Sequence, residues 1–152
     1  MIELAPFVGS WQVTIYETDG PPTRGLCTLG ADGTMVTAEH PVVTPPGAPG
    51  VIFTSSGHGA WQAAGPDRVI FTFAALGSDG AGNLFGVLTI RGDITLDQAG
   101  TEFAGDAVAT IDDPTGATLA VFPMTIEGTR IVAEGPDMAM AKSIGLAPDT
   151  RL

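Results

Sequence analysis

Hydrophobic and polar residues alternate along several stretches of this chain, most regularly between positions 88 and 97. Even positions there carry Leu, Ile or Gly, and odd positions carry Thr, Arg or Asp. A period of two residues is the side-chain period of a β-strand, whereas a helix would distribute the same charges around its circumference. The stretch is therefore predicted to be a strand with one buried face and one solvated face.

Similar runs, rich in Val, Ile, Thr and Phe, are separated by turn signals such as Asp32-Gly33 and Asp113-Pro114-Thr115-Gly116. Residues of these types form Asx turns or tolerate positive φ. The runs predict eight strands, at about 9–17, 23–30, 34–40, 51–63, 68–76, 84–97, 102–111 and 118–127, with an extension of the last to 134 left open. No interior segment has the pattern of a long amphipathic helix, which disfavours a Rossmann fold.

The predicted fold is all-β: an eight-stranded antiparallel up-and-down barrel with a short C-terminal tail. A barrel is preferred over a sandwich because closure removes exposed strand edges. Residues 1–135 form the predicted barrel domain, and 136–152 form a tail with enough helical pattern for a turn or two. The segment 41–50 holds four prolines and is predicted to be a loop, either a stiff surface connection or a flap across a barrel mouth.

Charge and composition disfavour several kinds of partner, location and cofactor. Six Lys and Arg stand against 17 Asp and Glu, a formal charge of −11, which disfavours nucleic-acid and anionic membrane partners. No apolar stretch is long enough for a membrane span, and the first residues lack a signal-peptide pattern, so a cytoplasmic location is predicted. The single Cys27 and two histidines show no metal-ligand spacing. We expect neither a metal nor another cofactor.

Two short motifs carry a resemblance to a known group. The first predicted strand begins with Gly9-Ser10-Trp11, and Arg130 lies near the end of the last predicted strand. This combination resembles the calycin (lipocalin-like) β-barrels, in which such a Trp closes one end and such an Arg packs over it. An N-terminal helix typical of lipocalins is not evident in the sequence. The pattern also resembles small actinobacterial barrel proteins, some of which act in natural-product pathways as cofactor-free cyclases.

The barrel lumen is the predicted site. Alternation from Trp11 sets the inward faces, and a run of small residues between 105 and 109 leaves room opposite larger side chains. The predicted ligand-binding residues are Met35, His58, Trp61, Phe71, Phe73, Leu88, Ile90, Ala107, Phe122 and Met124. Trp11 and Arg130 are assigned structural roles. The alternative is a lumen filled by its own side chains.

The predicted partner is an apolar small molecule, and a homodimer stays open. One hypothesis is a cofactor-free cyclase or isomerase of bacterial secondary metabolism, with Glu39 and Tyr16 as catalytic candidates. Glu39 shares a strand face with Met35, and a carboxylate at the edge of an apolar lumen would have a raised pKa. The other hypotheses are a non-catalytic carrier of an apolar metabolite and a structural protein with a filled core.

Overall fold

The computed structural model describes residues 5–44 and 50–143. A short 3-10 helix (Ala5–Phe7) precedes the first strand, and one α-helix, α1 (Met138–Ser143), follows the last strand. The strands between them are β1 (Gly9–Glu17), β2 (Thr23–Leu29), β3 (Thr34–Glu39), β4 (Val42–Val43), β5 (Ile52–Thr54), β6 (Gly57–Ala63), β7 (Arg68–Ser78), β8 (Leu84–Leu96), β9 (Glu102–Asp112) and β10 (Thr118–Arg130).

Eight of these strands form a closed antiparallel barrel. Each pairs with the next along the chain, except that β3 pairs with β6 because β4 and β5 form a separate small hairpin. Pairing of β1 with β10 closes the barrel, with a register that runs from Trp11 opposite Arg130 to Glu17 opposite Met124. This pairing confirms the predicted all-β, eight-stranded up-and-down barrel.

The predicted strand 51–63 is two strands in the structure. Ser55 and Ser56 separate β5 from β6. Both strands pair with β7, but the register shifts between Phe53 opposite Ser78 and His58 opposite Ala74. The Ser55 hydroxyl accepts a hydrogen bond from the Leu76 amide at 2.8 Å. This β-bulge reverses the alternation, so that Ile52 is buried before it and Gly57 after it.

The 41–50 segment also differs from the predicted loop. Its residues 42 and 43 form β4, which pairs with β5 in a short hairpin. The Thr54 hydroxyl donates to the His40 carbonyl at 3.0 Å and ties the hairpin to the end of β3. Residues 45–49 lie outside the described residues. The hairpin lies at the end of the barrel where β8, β9 and β10 extend beyond β1.

One end of the barrel is closed by aromatic side chains. Trp11 is fully buried, and its indole N–H donates to the Phe7 carbonyl at 3.1 Å. The Arg130 guanidinium carbon lies 4.2 Å from the centroid of the Trp11 ring. Gly9 has φ +136°, and a Cβ there would lie 2.8 Å from the Arg130 guanidinium. The Gly in this Gly-x-Trp is therefore required by both backbone conformation and space.

A short helix lies on either side of the barrel strands along the chain. The 3-10 helix before β1, which the sequence did not reveal, brings the Phe7 ring to 6.3 Å from that of Trp61 at the closed end. In the predicted tail 136–152, α1 forms with the Asp137 carboxylate accepting the Met140 amide. Residues 144–152 lie outside the described residues. The predicted boundary at 135 stays a prediction.

Candidate functional site

The barrel contains two connected cavities of very different size. The inner cavity has a volume of about 40 Å³, because large side chains from β3 and β7 fill the closed half of the barrel. The second, which we call the mouth cavity, has a volume of about 380 Å³ at the opposite end. Small-molecule sites typically range over roughly 300–1,000 Å³. Of these two cavities in the described part of the chain, the mouth cavity has the volume that a small organic ligand needs.

The mouth cavity has two chemically different walls. Strands β8, β9 and β10 supply an apolar wall, formed by Leu88, Ile90, Ala109, Ile111, Phe122 and Met124. Across the barrel from this wall, β3 contributes Glu39, and the acidic residues Glu17 and Asp19 line the cavity from the end of β1 and the turn after it. The β4–β5 hairpin completes the rim with Val42, Val43, Ile52 and Thr54. The lining residues that the structure describes include neither Lys nor Arg, and His40 is the remaining titratable group among them.

Glu39 lies where the two cavities meet. It lines both of them, as do Ile15, Ile90 and Met124. Its backbone pairs with Gly25 of β2, and a Cβ added at Gly25 would lie 3.6 Å from the Glu39 Cγ. Burial among these apolar groups raises the pKa of Glu39, and the nearby Glu17 carboxylate raises it further. Both effects penalise the charged form of the carboxyl group.

This environment predicts that Glu39→Gln stabilises the protein at neutral pH. The raised pKa means that the folded state binds the Glu39 proton more tightly than the unfolded state, so the carboxyl's contribution to stability falls as pH rises from the unfolded pKa through the folded one. We expect a gain on the order of 1 kcal/mol in the free energy of unfolding at pH 7. Urea unfolding of the wild type and the variant measures it.

The gain disappears in acid if its cause is the carboxylate. Below the unfolded pKa of about 4.3, Glu39 is uncharged in both states and resembles glutamine. Four turn carboxyls have lowered pKa values because they accept hydrogen bonds, and they lose stability in acid, but they are common to both proteins and cancel from the difference: Asp32, Asp79, Asp97 and Asp113. If the stability difference between Glu39→Gln and wild type were the same at pH 7 and in acid, the charge of the Glu39 carboxylate would not be its cause.

Two polar groups lie deeper than Glu39. Thr37, on the same face of β3, is buried and lines the inner cavity. Cys27 of β2 is its cross-strand neighbour, and burial raises the pKa of the Cys27 thiol to about 12. A thiol with that pKa is uncharged at neutral pH and therefore a poor nucleophile.

Most of the predicted ligand-binding residues point into the lumen, but at different depths. Met35, Phe71 and Phe73 line the small inner cavity. Leu88 and Phe122 line the mouth cavity, while Ile90 and Met124 line both. Ala107 is buried on the inward face of β9. Four of the predicted residues therefore line the mouth cavity: Leu88, Ile90, Phe122 and Met124.

Three predicted site residues lie elsewhere. Tyr16 is on the outer face of β1, where its hydroxyl donates to Glu127 at 3.3 Å. His58 is exposed on the outer face of β6, because its neighbours Gly57 and Gly59 face inward. Trp61 faces inward, but at the closed end, where its indole N–H donates to the Gly30 carbonyl at 3.0 Å. Tyr16, His58 and Trp61 are therefore not among the residues that line either cavity, contrary to their predicted position in the lumen site.

Several residues of the mouth cavity were absent from the predicted site. Ala109 and Ile111 continue the inward face of β9, and strand alternation alone could have identified them. Glu17 and Asp19 could not be identified in this way, because they lie at and beyond the end of β1. Their approach to Glu39 depends on the pairing of β1 and β3 with the two edges of β2. The β4–β5 hairpin is likewise placed by tertiary pairing.

Within residues 5–44 and 50–143, no three His, Cys, Asp or Glu side chains are grouped closely enough to hold a metal ion. The helices of that same part of the chain include none with the length and apolar character needed to cross a bilayer.

Comparison with known proteins yields one similar structure. No protein-family model matches the chain, and no curated protein matches it. A redesigned β-barrel of known structure is similar over 84% of this chain and 94% of its own, with 22% sequence identity and a TM-score of 0.49.

Proposed function

We propose that this protein binds an apolar small molecule in the mouth cavity. The observation that carries the proposal is the cavity itself, about 380 Å³ of space beside an apolar wall in a barrel whose other half is filled. An unfilled apolar cavity sacrifices packing energy, because its lining lacks contacts on one side. A bound apolar molecule would restore those contacts and remove the lining from water.

Ala109 offers a direct test of where the ligand binds. It is fully buried on the apolar wall, between Ile90 of β8 and Phe122 of β10 in the strand register. In Ala109→Phe the ring would occupy part of the mouth cavity. We expect the affinity for the fluorescent probe N-phenyl-1-naphthylamine to fall at least about tenfold, equivalent to a loss of about 1.4 kcal/mol. Fluorescence titration of the folded protein measures the change.

The matched control is Ala104→Phe. Ala104 is on the same strand but is exposed on the outer face, where a phenyl ring leaves the lumen unchanged. Probe affinity should stay within about twofold of wild type, because surface substitutions usually change free energies by less than about 0.5 kcal/mol. Equal binding by wild type and Ala109→Phe would place the probe on the protein surface and overturn the proposal.

Catalysis is the second candidate, and Glu39 is the observation that favours it. A desolvated carboxyl with a raised pKa suits a general acid or base near neutral pH. Cyclases and isomerases that use no cofactor need such a group in a dry, shaped site. The Glu39→Gln variant separates the two functions on any converted ligand. Loss of turnover with retained affinity marks an enzyme, whereas a carrier changes in affinity alone.

The proposal also includes a family resemblance and a biological setting. The contact between Trp11 and Arg130 at the closed end supports the calycin-like interpretation of the barrel. The proposed setting remains bacterial secondary metabolism, with an apolar metabolite as the ligand. The cytoplasmic location, the homodimer, and the absence of nucleic-acid and membrane partners stay predictions.

A further inference from the structure

We propose that the mouth cavity selects hydrophobic amines, binding the apolar body of the ligand against β8–β10 and its ammonium group at Glu39 on the opposite wall. The proposal rests on the proposed function and adds the chemical class of the ligand. It follows from the separation of the two walls, which matches an amphipathic molecule with a positive end.

Among the described residues that line the mouth cavity there is no Lys or Arg to pair with the acidic groups. The described residues contain one salt bridge, Arg68 with Asp93, and it lies on the outer surface. None of their hydrogen bonds involves the Glu39 carboxyl group. Arg24 of β2 is exposed on the outer face, as the inward position of its neighbour Gly25 requires. A carboxylate in an apolar cavity is stabilised by a positive charge within a few ångströms, and here a ligand is the available source.

The neighbouring carboxyl groups strengthen the same preference. Glu17 acts electrostatically on Glu39, and Asp19 lines the rim close by. His40 lines the same cavity and is the other titratable group that faces it. A ligand ammonium would interact favourably with all three carboxylates. An anionic ligand would meet the same groups unfavourably, within a protein of formal charge −11.

The apolar wall limits the remainder of the ligand. Phe122, Ile111 and Ala109 present only carbon toward the cavity, so a second polar group on the ligand would be buried there without a hydrogen-bond partner. The volume of about 380 Å³ accommodates a compact hydrocarbon body. The ligand class is therefore a compact hydrophobic molecule with one basic amine.

A matched series of compounds tests this inference. The three compounds are 1-adamantanemethylamine, 1-adamantanemethanol and 1-adamantanecarboxylic acid, each used at pH 7.5 to displace N-phenyl-1-naphthylamine. We expect the amine to displace the probe at a concentration about tenfold lower than the alcohol, the scale of one charge-assisted hydrogen bond. The acid should be the weakest of the three. The amine's advantage over the alcohol should fall as salt concentration rises, because salt screens the attraction between the ammonium group and the carboxylates at the rim.

Two variants assign the selectivity to its residue. Glu39→Gln should remove most of the difference between amine and alcohol while retaining alcohol binding. Glu102→Gln, the same change at an exposed position of β9, should leave the difference intact. Far-UV circular dichroism shows whether each variant keeps the β-fold.

The outcomes separate this inference from the proposed function. If the probe and all three compounds fail to bind wild-type protein, the proposed function is wrong. If the probe binds in the lumen but the alcohol or the acid equals or exceeds the amine, the proposed function stands and the amine selectivity is wrong. Retention of the full selectivity in Glu39→Gln would also overturn the assignment to Glu39.

Discussion

Replacing Trp11 with alanine lowers the free energy of unfolding by about 3–5 kcal/mol, the usual cost of truncating a buried Trp. The indole is fully buried, stands 5.1 Å from the Phe103 ring by centroids, and donates its N–H to the Phe7 carbonyl. Its removal leaves a cavity beside the Phe103 ring. The surrounding strands are held in place by their pairing and cannot collapse into that cavity. Urea unfolding followed by circular dichroism measures the loss.

The control for Trp11 is Leu26→Ala on β2. Leu26 is 49% exposed on the outer face, and its truncation should change stability by less than about 0.5 kcal/mol. A domain of this kind has a total stability of roughly 5–15 kcal/mol, so the Trp11 variant loses a large share of it. A loss below about 1 kcal/mol would mean that Trp11 contributes little packing at the closed end.

Replacing Arg130 with lysine lowers the free energy of unfolding by about 2–4 kcal/mol, because hydrogen bonds from charged groups contribute roughly 1.5–3 kcal/mol each. The guanidinium donates to the carbonyls of Gly100 at 2.9 Å and Val8 at 2.8 Å, and also to that of Pro6. Lysine keeps the charge but lacks the planar fork, so one ammonium cannot satisfy three separated carbonyls while stacking on an indole. Urea unfolding measures the difference.

Arg91→Lys is the matched control, because Arg91 is exposed on the outer face of β8.

The double variant of Trp11 and Arg130 tests their contact. Two residues in contact show a coupling of roughly 0.5–3 kcal/mol, whereas independent residues give additive losses. Strict additivity would show that Arg130 stabilises the loops alone and not the Trp11 ring.

The two ends of the barrel thus have opposite energetic characters. At the closed end, aromatic rings and a guanidinium with satisfied donors stabilise the fold. At the open end, a cavity and a carboxyl with a raised pKa are both unfavourable for folding. Placing an unfavourable group in a site is typical of functional regions, where stability and activity conflict. This contrast supports the proposed binding site at the mouth.

The inward faces of the strands were determined by the sequence itself. Alternation along 88–96 sets which side chains are buried, because a one-residue slip would expose the whole hydrophobic set. The same parity placed Met35 and Glu39 on one face, and both line the lumen. Gly9 and Trp11 also encode the closed end locally, since only glycine fits the backbone conformation beside Arg130.

Tertiary structure alone decided the depth and the chemistry of the site. The bulge at Ser55 and Ser56 reverses which side chains of the 51–63 segment point inward. The sequence pattern alone does not show where such a bulge occurs. The pairing of β1 and β3 on either side of β2 brings Glu17 toward Glu39 although 21 intervening residues separate them along the chain. Whether an inward side chain fills space or borders a cavity depends on what stands across the lumen, and that is fixed by the register of distant strands.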